Sequence, residues 1–458
     1  MPLRRMTMEE EREQLIQYVE SVIDSGDMSP IPGIIEGKWP ADIAEILLAL
    51  PQEKRDLLFG MLEREIASEV LTLLDEGAVR DLIAGLDESH IVTLIDLMAS
   101  DDAADIVNLL PPEQVQSILG RISREDYEDI RELLKFHEET AGGLMAREVM
   151  TVRGDTRVSD IVERLRFEAE TIEQLQNIYV IDRQHILLGY IPIIKLIIAD
   201  PRSRAEEVMN EEVLSVTTGT DQEEVAALFA KYDLYSLPVV DARGRLMGRI
   251  TVDDIIDVIE EEATEDITMM AGTGEEEFWE RSPLRVSRAR LPWLLTGLFG
   301  GMASAVVMNH FKGSLESVLT LAFFVPVITA MGGNVGIQSS AIVVRELAVG
   351  GMSLVHTSGK LLRELKVSLI NGFVLGAVLL LIVTLWQGDY RLGVILGICM
   401  MTIILWATLM GAVVPLLLRK MDIDPALATG PFITTSNDIL GILIYLGIAT
   451  LFLDWIGG

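Results

Sequence analysis

Five long apolar stretches crowd the last 168 residues of this 458-residue chain, at 291–309, 318–344, 367–386, 392–418 and 432–453. Each is near or above the ~20 residues that an α-helix needs to cross the ~30 Å hydrocarbon core of a bilayer. Backbone polar groups find no water there, so a crossing segment must satisfy them internally, as a helix does. A soluble core rarely buries five such segments in so short a length of chain. The expectation is an α-helical multi-pass membrane domain of five transmembrane helices in a lipid bilayer.

Charge separates this part from the rest. From residue 291 on, eight Lys or Arg balance eight Asp or Glu, so the whole net charge of −33 lies in the first 290 residues. Such a surface repels phosphate, which argues against nucleic acid as a partner and makes cations its natural counterions. Cys399 is the only cysteine, so neither an intrachain disulfide nor a thiolate zinc cluster is available. The N-terminus is charged and lacks an apolar run, so no cleavable leader is expected. Arg285, Arg288, Arg290, Arg345, Lys360, Arg363, Lys366, Arg419 and Lys420 flank the spans on one side, against Lys312 and Arg391 on the other. Basic residues concentrate inside, so the N-terminus is expected in the cytosol and the C-terminus outside the cell membrane.

Two spans are too polar to face lipid all round. The second carries Pro326, Gly332, Gly333, Asn334, Gly336 and Gln338; the fifth opens with Pro431, Thr434, Thr435, Ser436, Asn437 and Asp438. A carboxylate inside a span is costly and usually marks an ion or proton path. At 1.5 Å per residue, Asp438 lies ~10 Å in from Pro431 and Asn334 ~24 Å in from the outer end of its span. In a ~30 Å core the two fall near one level. Asp438 could instead snorkel to the interface or cap a helix, but its polar company favours a wet pathway. Carboxylate, amide and carbonyl oxygens suit hard cations such as Mg²⁺, Ca²⁺ or Mn²⁺. One carboxylate per chain does not strip the water from Mg²⁺, so a hydrated ion held between two chains is the expected cargo. The spans hold no Ser–His pair or HExxH pattern, and no enzyme is expected.

The acidic part contains a repeat over residues 149–256. Val149 and Met150 match Val208 and Met209; residues 178–182 match 237–241; Leu188-Gly-Tyr-Ile matches Met247-Gly-Arg-Ile, each at an offset of 59. Each unit reads as strand, helix, two strands about an Asp turn, and helix. This resembles a tandem pair of CBS domains, an α/β fold that often binds adenine nucleotides. The ribose-binding pattern of that family is present as Thr251 and Asp254 in the second unit, whereas the first has Pro192 and Lys195. ATP is therefore expected, if at all, as a modulator at the second unit. The following stretch is loaded with acids that repel one another at helical spacing, and divalent cations would relieve them. Before the repeat, Ala44-Glu45-Ile46 ending at Leu50-Pro51 recurs as Ala104-Asp105-Ile106 ending at Leu110-Pro111, which points to an all-α superhelical domain of stacked hairpins. Asp101, Asp102 and Asp105 there are expected to face the CBS pair.

Taken in order, a helical-repeat domain (1–137), tandem CBS domains (138–252), an acidic connecting helix with linker (253–290, interrupted at Gly272 and Gly274) and a membrane domain (291–458) resemble the MgtE family of magnesium channels. The segments 326–338 and 431–438 carry the likeness most specifically. The resemblance implies a homodimer with its pore on the two-fold axis. It assigns pore-metal roles to Asp438, Asn334, Gly332 and Gly333, with Pro326, Thr434 and Thr435 in the same two segments. It assigns regulatory-metal roles to Asp221, Glu223, Asp233, Asp254, Asp257, Glu262, Glu265 and Asp266. The implied function is passage of Mg²⁺, with Mn²⁺, Co²⁺ or Ca²⁺ as further candidates, closed by Mg²⁺ bound to the acidic part. The alternative is a proton-coupled transporter of the same ions.

Overall fold

The computed structural model describes all residues except 1–7, 169–174, 274–281, 349–353, 422, 429 and 457–458. Gly274 thus lies outside the described residues. The chain forms two compact units, Met1–Val258 and Ile259–Gly458.

The first unit begins with ten helices: α1 (Met8–Ser25), α2 (Ile31–Ile35), α3 (Pro40–Ala49), α4 (Gln52–Phe59), α5 (Arg64–Thr72), α6 (Glu76–Gly85), α7 (Glu88–Ile95), α8 (Ser100–Leu109), α9 (Pro112–Leu119) and α10 (Arg124–Leu133). Their starts are written in the sequence. The side chains of Asp75, Asp87 and Ser123 accept from the N–H of Ala78, His90 and Asp126, which satisfies donors that the first turn leaves unpaired. Leu50 and Leu110 end their helices in extended backbone, held there by the prolines that follow. Helices pack two apart, α3 on α5, α4 on α6, α5 on α7, α6 on α8, α7 on α9 and α8 on α10. That is how a superhelix of hairpins buries a continuous core.

The CBS pair follows. Its first half is β1 (Thr151–Arg153), α11 (Val158–Glu168), β2 (Asn177–Ile181), β3 (Leu187–Pro192) and α12 (Ile193–Ile198). After α13 (Ala205–Val208), the second half is β4 (Val216–Thr217), α14 (Gln222–Tyr232), β5 (Ser236–Val240), β6 (Leu246–Thr251) and α15 (Val252–Ala271). Each sheet pairs its first two strands parallel and its last two antiparallel. The offset of 59 holds for β2 and β5 and for β3 and β6, but it becomes 64 between Val158 and Gln222, where α11 and α14 begin. An insertion before β4 is cancelled after α14, so the repeat is legible at its ends and blurred in its middle. The leading segments are exchanged: Ala146 bridges to Arg249 of the second sheet, and Asn210 bridges to Tyr190 of the first. This explains Gly189 and Gly248. A Cβ at either would meet the carbonyl of Asn210 or of Ala146 at 2.6 or 2.5 Å.

The second unit holds the rest of α15 and five helices long and apolar enough to cross a membrane: Pro283–His310, Thr320–Leu347, Leu361–Gln387, Tyr390–Lys420 and Pro431–Leu451. The fourth is the hub and packs on the second, third and fifth, while the first packs on the fifth. Ile403, Ile404, Cys399, Tyr445 and Leu446 form its core. The Tyr445 hydroxyl donates to the Leu321 carbonyl at 2.8 Å. Small residues let the backbones close in: a Cβ at Gly376 would sit 2.7 Å from the Gly397 carbonyl oxygen.

Candidate ion pathway and regulatory carboxylates

The second and fifth spans meet at the glycines singled out in the sequence. Gly332 faces Asn437 and Ile403, and Gly333 faces Thr434. The Asn437 amide donates to the Gly332 carbonyl at 3.2 Å. Thr434 spends its hydroxyl on the Pro431 carbonyl at 3.1 Å, and Thr435 turns its methyl toward Gly300 of the first span. Asp438 is half-buried, one residue beyond the crossing point. Asn334 is two residues from it on the antiparallel partner, so the two stand within roughly 5 Å of one level. Asn334 itself is exposed, in a row with Pro326, Ala330 and Gln338 at four-residue spacing along one face of the second span.

The acids expected to bind regulatory metal separate into groups. Asp221 caps α14 by accepting from the Glu223 N–H, and Asp233 ends the same helix in the left-handed conformation. Twelve steps along the helix put these two ~18 Å apart, so they serve different places. Asp254 accepts from the Thr251 N–H (3.1 Å) and hydroxyl (2.7 Å), so the pair expected at a ribose is brought together at the start of α15. In the first half of the repeat, Lys195 is instead engaged with the Asn210 side chain at 2.8 Å. Asp101, at the start of α8, is half-buried and within reach of the charge of Asp254. Burial, then the charges of Asp254, Asp102 and Glu148, hold its carboxyl well above the usual range. Burial likewise pushes Asp254 up to about 6, against the hydrogen bonds from Thr251, with Asp253 and Asp257 adding to the rise. Glu148 fixes this approach: its two oxygens accept from the N–H (3.1 Å) and hydroxyl (2.9 Å) of Ser100. In the second unit, Asp266 is half-buried and raised by burial and by the charge of Asp424. The Gly430 backbone there lies against the carbonyls of Met269 and Met270 at the end of α15.

Among the described residues no three acidic or histidine side chains converge as a finished ligand cage. The acids influence one another's charge in pairs, Asp101 with Asp254 and Asp266 with Asp424. Partly buried carboxylates that raise one another suit a hard divalent ion, and a two-carboxylate site suits one that keeps several of its waters. Glu148 and Asp424 escaped the sequence reading. Glu148 looked like any acid of an exposed turn, and Asp424 sits between two spans whose loop gave no helical spacing to read.

The chain is 34% identical to the magnesium transporter MgtE of Thermus thermophilus over 447 residues, 96% of this chain and 99% of that one. It belongs to the MgtE family. The MgtE of Bacillus subtilis is 30% identical over 96% of this chain and 98% of its own length. Family models match in chain order: an MgtE intracellular N domain at 39–139, a CBS domain at 205–261 and a divalent cation transporter at 325–448. The last of these contains both polar segments of the spans. A crystal structure of the cytosolic domain of the Mg²⁺ channel MgtE in complex with ATP superposes on 53% of this chain and 99% of its own, with a TM-score of 0.51 and 33% identity. The family membership makes this a membrane-embedded magnesium transporter, with the helical domain and CBS pair of MgtE proteins.

Proposed function

We propose that the chain is a Mg²⁺ channel that admits the hydrated ion down its electrochemical gradient and closes when Mg²⁺ binds its acidic part. The observation that carries this reading is the half-buried Asp438 carboxylate within a span, beside the crossing of the second and fifth spans and level with the Asn334 amide. A carboxylate with amide and carbonyl oxygens at that depth attracts a dication through its water shell without having to replace it.

The exposed row of Pro326, Ala330, Asn334 and Gln338 supports a homodimer. Amides facing hydrocarbon would stand unsatisfied, whereas a second copy related by a two-fold axis would turn these faces toward a shared aqueous path. Two Asp438 carboxylates would then flank one ion. The basic flanks of the spans support a cytosolic N-terminus and an outer C-terminus.

Closure follows by linkage. The Asp101 and Asp254 pair, the Asp266 and Asp424 pair, and Asp257, Glu262 and Glu265 repel when bare. If the closed state binds more ions than the open one, each extra ion favours closure by at most about 1.4 kcal/mol per tenfold rise in free Mg²⁺. At low internal Mg²⁺ the same repulsion favours opening. Thr251 and Asp254 are the groups that would hold the ribose of ATP, which would act as a modulator because it shares Asp254 with the metal.

Asp438→Asn tests the pathway. Mg²⁺ and Mn²⁺ uptake into proteoliposomes should fall to background while the elution profile and melting temperature stay unchanged. Uptake at the unsubstituted rate would remove Asp438 from the path.

A further inference from the structure

Asn437 lies in the same polar segment as Asp438 but turns into the bundle interior. It is 1% exposed, in the interior of one copy of the bundle. Its Nδ2 donates across to the Gly332 carbonyl, and its Oδ1 has no hydrogen-bond partner among the described residues. The second span makes room for it. A Cβ at Gly336 would sit 2.1 Å from Asn437 Nδ2 and 2.8 Å from Ile433 Cγ2, and one at Gly332 would lie 3.9 Å from Asn437 Cβ. The fourth span closes the back: a Cβ at Gly411 would meet the Gly336 carbonyl oxygen at 2.5 Å. Gly332 and Gly336, one turn apart, form a notch into which the amide keys.

A leucine has the same branching, is somewhat larger, and would occupy this notch with no buried acceptor left over. An amide that leaves one acceptor unsatisfied is poor glue and a good register mark, since it rewards only the rotation that brings Nδ2 onto the Gly332 oxygen. We propose that Asn437 is a positioning residue for ion selection: by locking the fifth span against the second, it sets the direction in which the next residue, Asp438, presents its carboxylate. Successive residues on a helix point about 100° apart, so fixing one fixes the other. Ion-binding geometry tolerates only ~0.5 Å or 10–20° of error. This proposal rests on Asp438 being the ion-holding carboxylate.

The test uses the full-length protein in proteoliposomes, with Mg²⁺, Ca²⁺ and Na⁺ flux measured for Asn437→Leu, Asn437→Ala and Asp438→Asn. Asn437→Leu should still fold, with an unchanged elution volume and a cooperative melting transition. It should raise the half-saturating Mg²⁺ concentration and reduce the Mg²⁺ to Ca²⁺ flux ratio, each on the order of tenfold, less than the ~10²-fold that a full ~1 Å misplacement can cost, with a smaller change in maximal flux. A merely space-filling Asn437 would leave that ratio alone. If Asn437→Leu does not fold, Asn437→Ala decides by the same ratio. Selectivity unchanged in a folded variant, or loss of fold in both, assigns Asn437 to packing and overturns the proposal. Asp438→Asn separates the two claims: if it still conducts Mg²⁺ the pore reading fails, and if it alone abolishes flux while both Asn437 variants select normally, only the positioning role fails.

Discussion

Arg55 shows how single side chains fix this architecture. It is buried in the helical domain, where its Nε donates to the Leu47 carbonyl at 3.0 Å and its Nη2 to the Leu50 carbonyl at 3.3 Å. These are carbonyls at the end of α3, where the helix has run out of donors: among the described residues, Leu47 O otherwise receives only the Leu50 N–H. Arg55→Met keeps the stem and removes the donors, so it should cost about 2–3 kcal/mol, read as a lower denaturant midpoint of the helical domain. Gly248 is a second such position. Gly248→Ala forces a methyl into the Ala146 carbonyl, and a loss of more than about 1 kcal/mol is expected; thermal unfolding of the cytosolic part would register it. The hydroxyls of Tyr179 and Ser236 share a buried bond of 2.9 Å between β2 and β5. The sequence displayed the apolar pattern of these strands but not that bond, because it joins residues 57 apart whose polarity fits an exposed strand equally well.

At the scale of elements, the contact between α8 and the CBS pair is the one most open to test. The Glu148 carboxylate sits on the first turn of α8, where it satisfies the Ser100 N–H and favours the positive end of the helix. It thereby keeps Asp101 toward Asp254 despite their repulsion. Glu148→Ala should loosen this contact and raise the Mg²⁺ concentration that protects the region from hydrogen exchange, by about tenfold. Asp101→Asn should act in the opposite sense without metal, since it removes the repulsion, and should also abolish the Mg²⁺ dependence of protection. Asp101, Asp102 and Asp105 were expected to face the CBS pair; Asp105 is exposed, while Asp101 feels the charge of Asp254, a partner that helix periodicity could not name. The same limit applies in the spans. Thr434 and Thr435 stand side by side in one polar segment, yet one faces Gly333 of the second span and the other Gly300 of the first. Asp221 and Asp233 were grouped by their charge, and α14 holds them at its two ends.

For the whole molecule, the order of domains and the five spans were plain in the sequence because hydrophobic length and charge segregation are read residue by residue. The repeat was legible through its conserved-offset ends and lost where the five-residue insertion shifts β4 and α14. What the sequence could not supply was which residues converge across spans, the information that separates the buried Asn437 from the half-buried Asp438 beside it. The measurement that bears most directly on the account is Mg²⁺ influx into liposomes containing the purified chain, at equal pH on both sides and with internal Mg²⁺ set from micromolar to millimolar. The account predicts influx that follows the Mg²⁺ gradient and membrane potential alone and that shuts down as internal Mg²⁺ rises. Influx that appears only with an imposed proton gradient, or that ignores internal Mg²⁺ while the gradient is held constant, would contradict it.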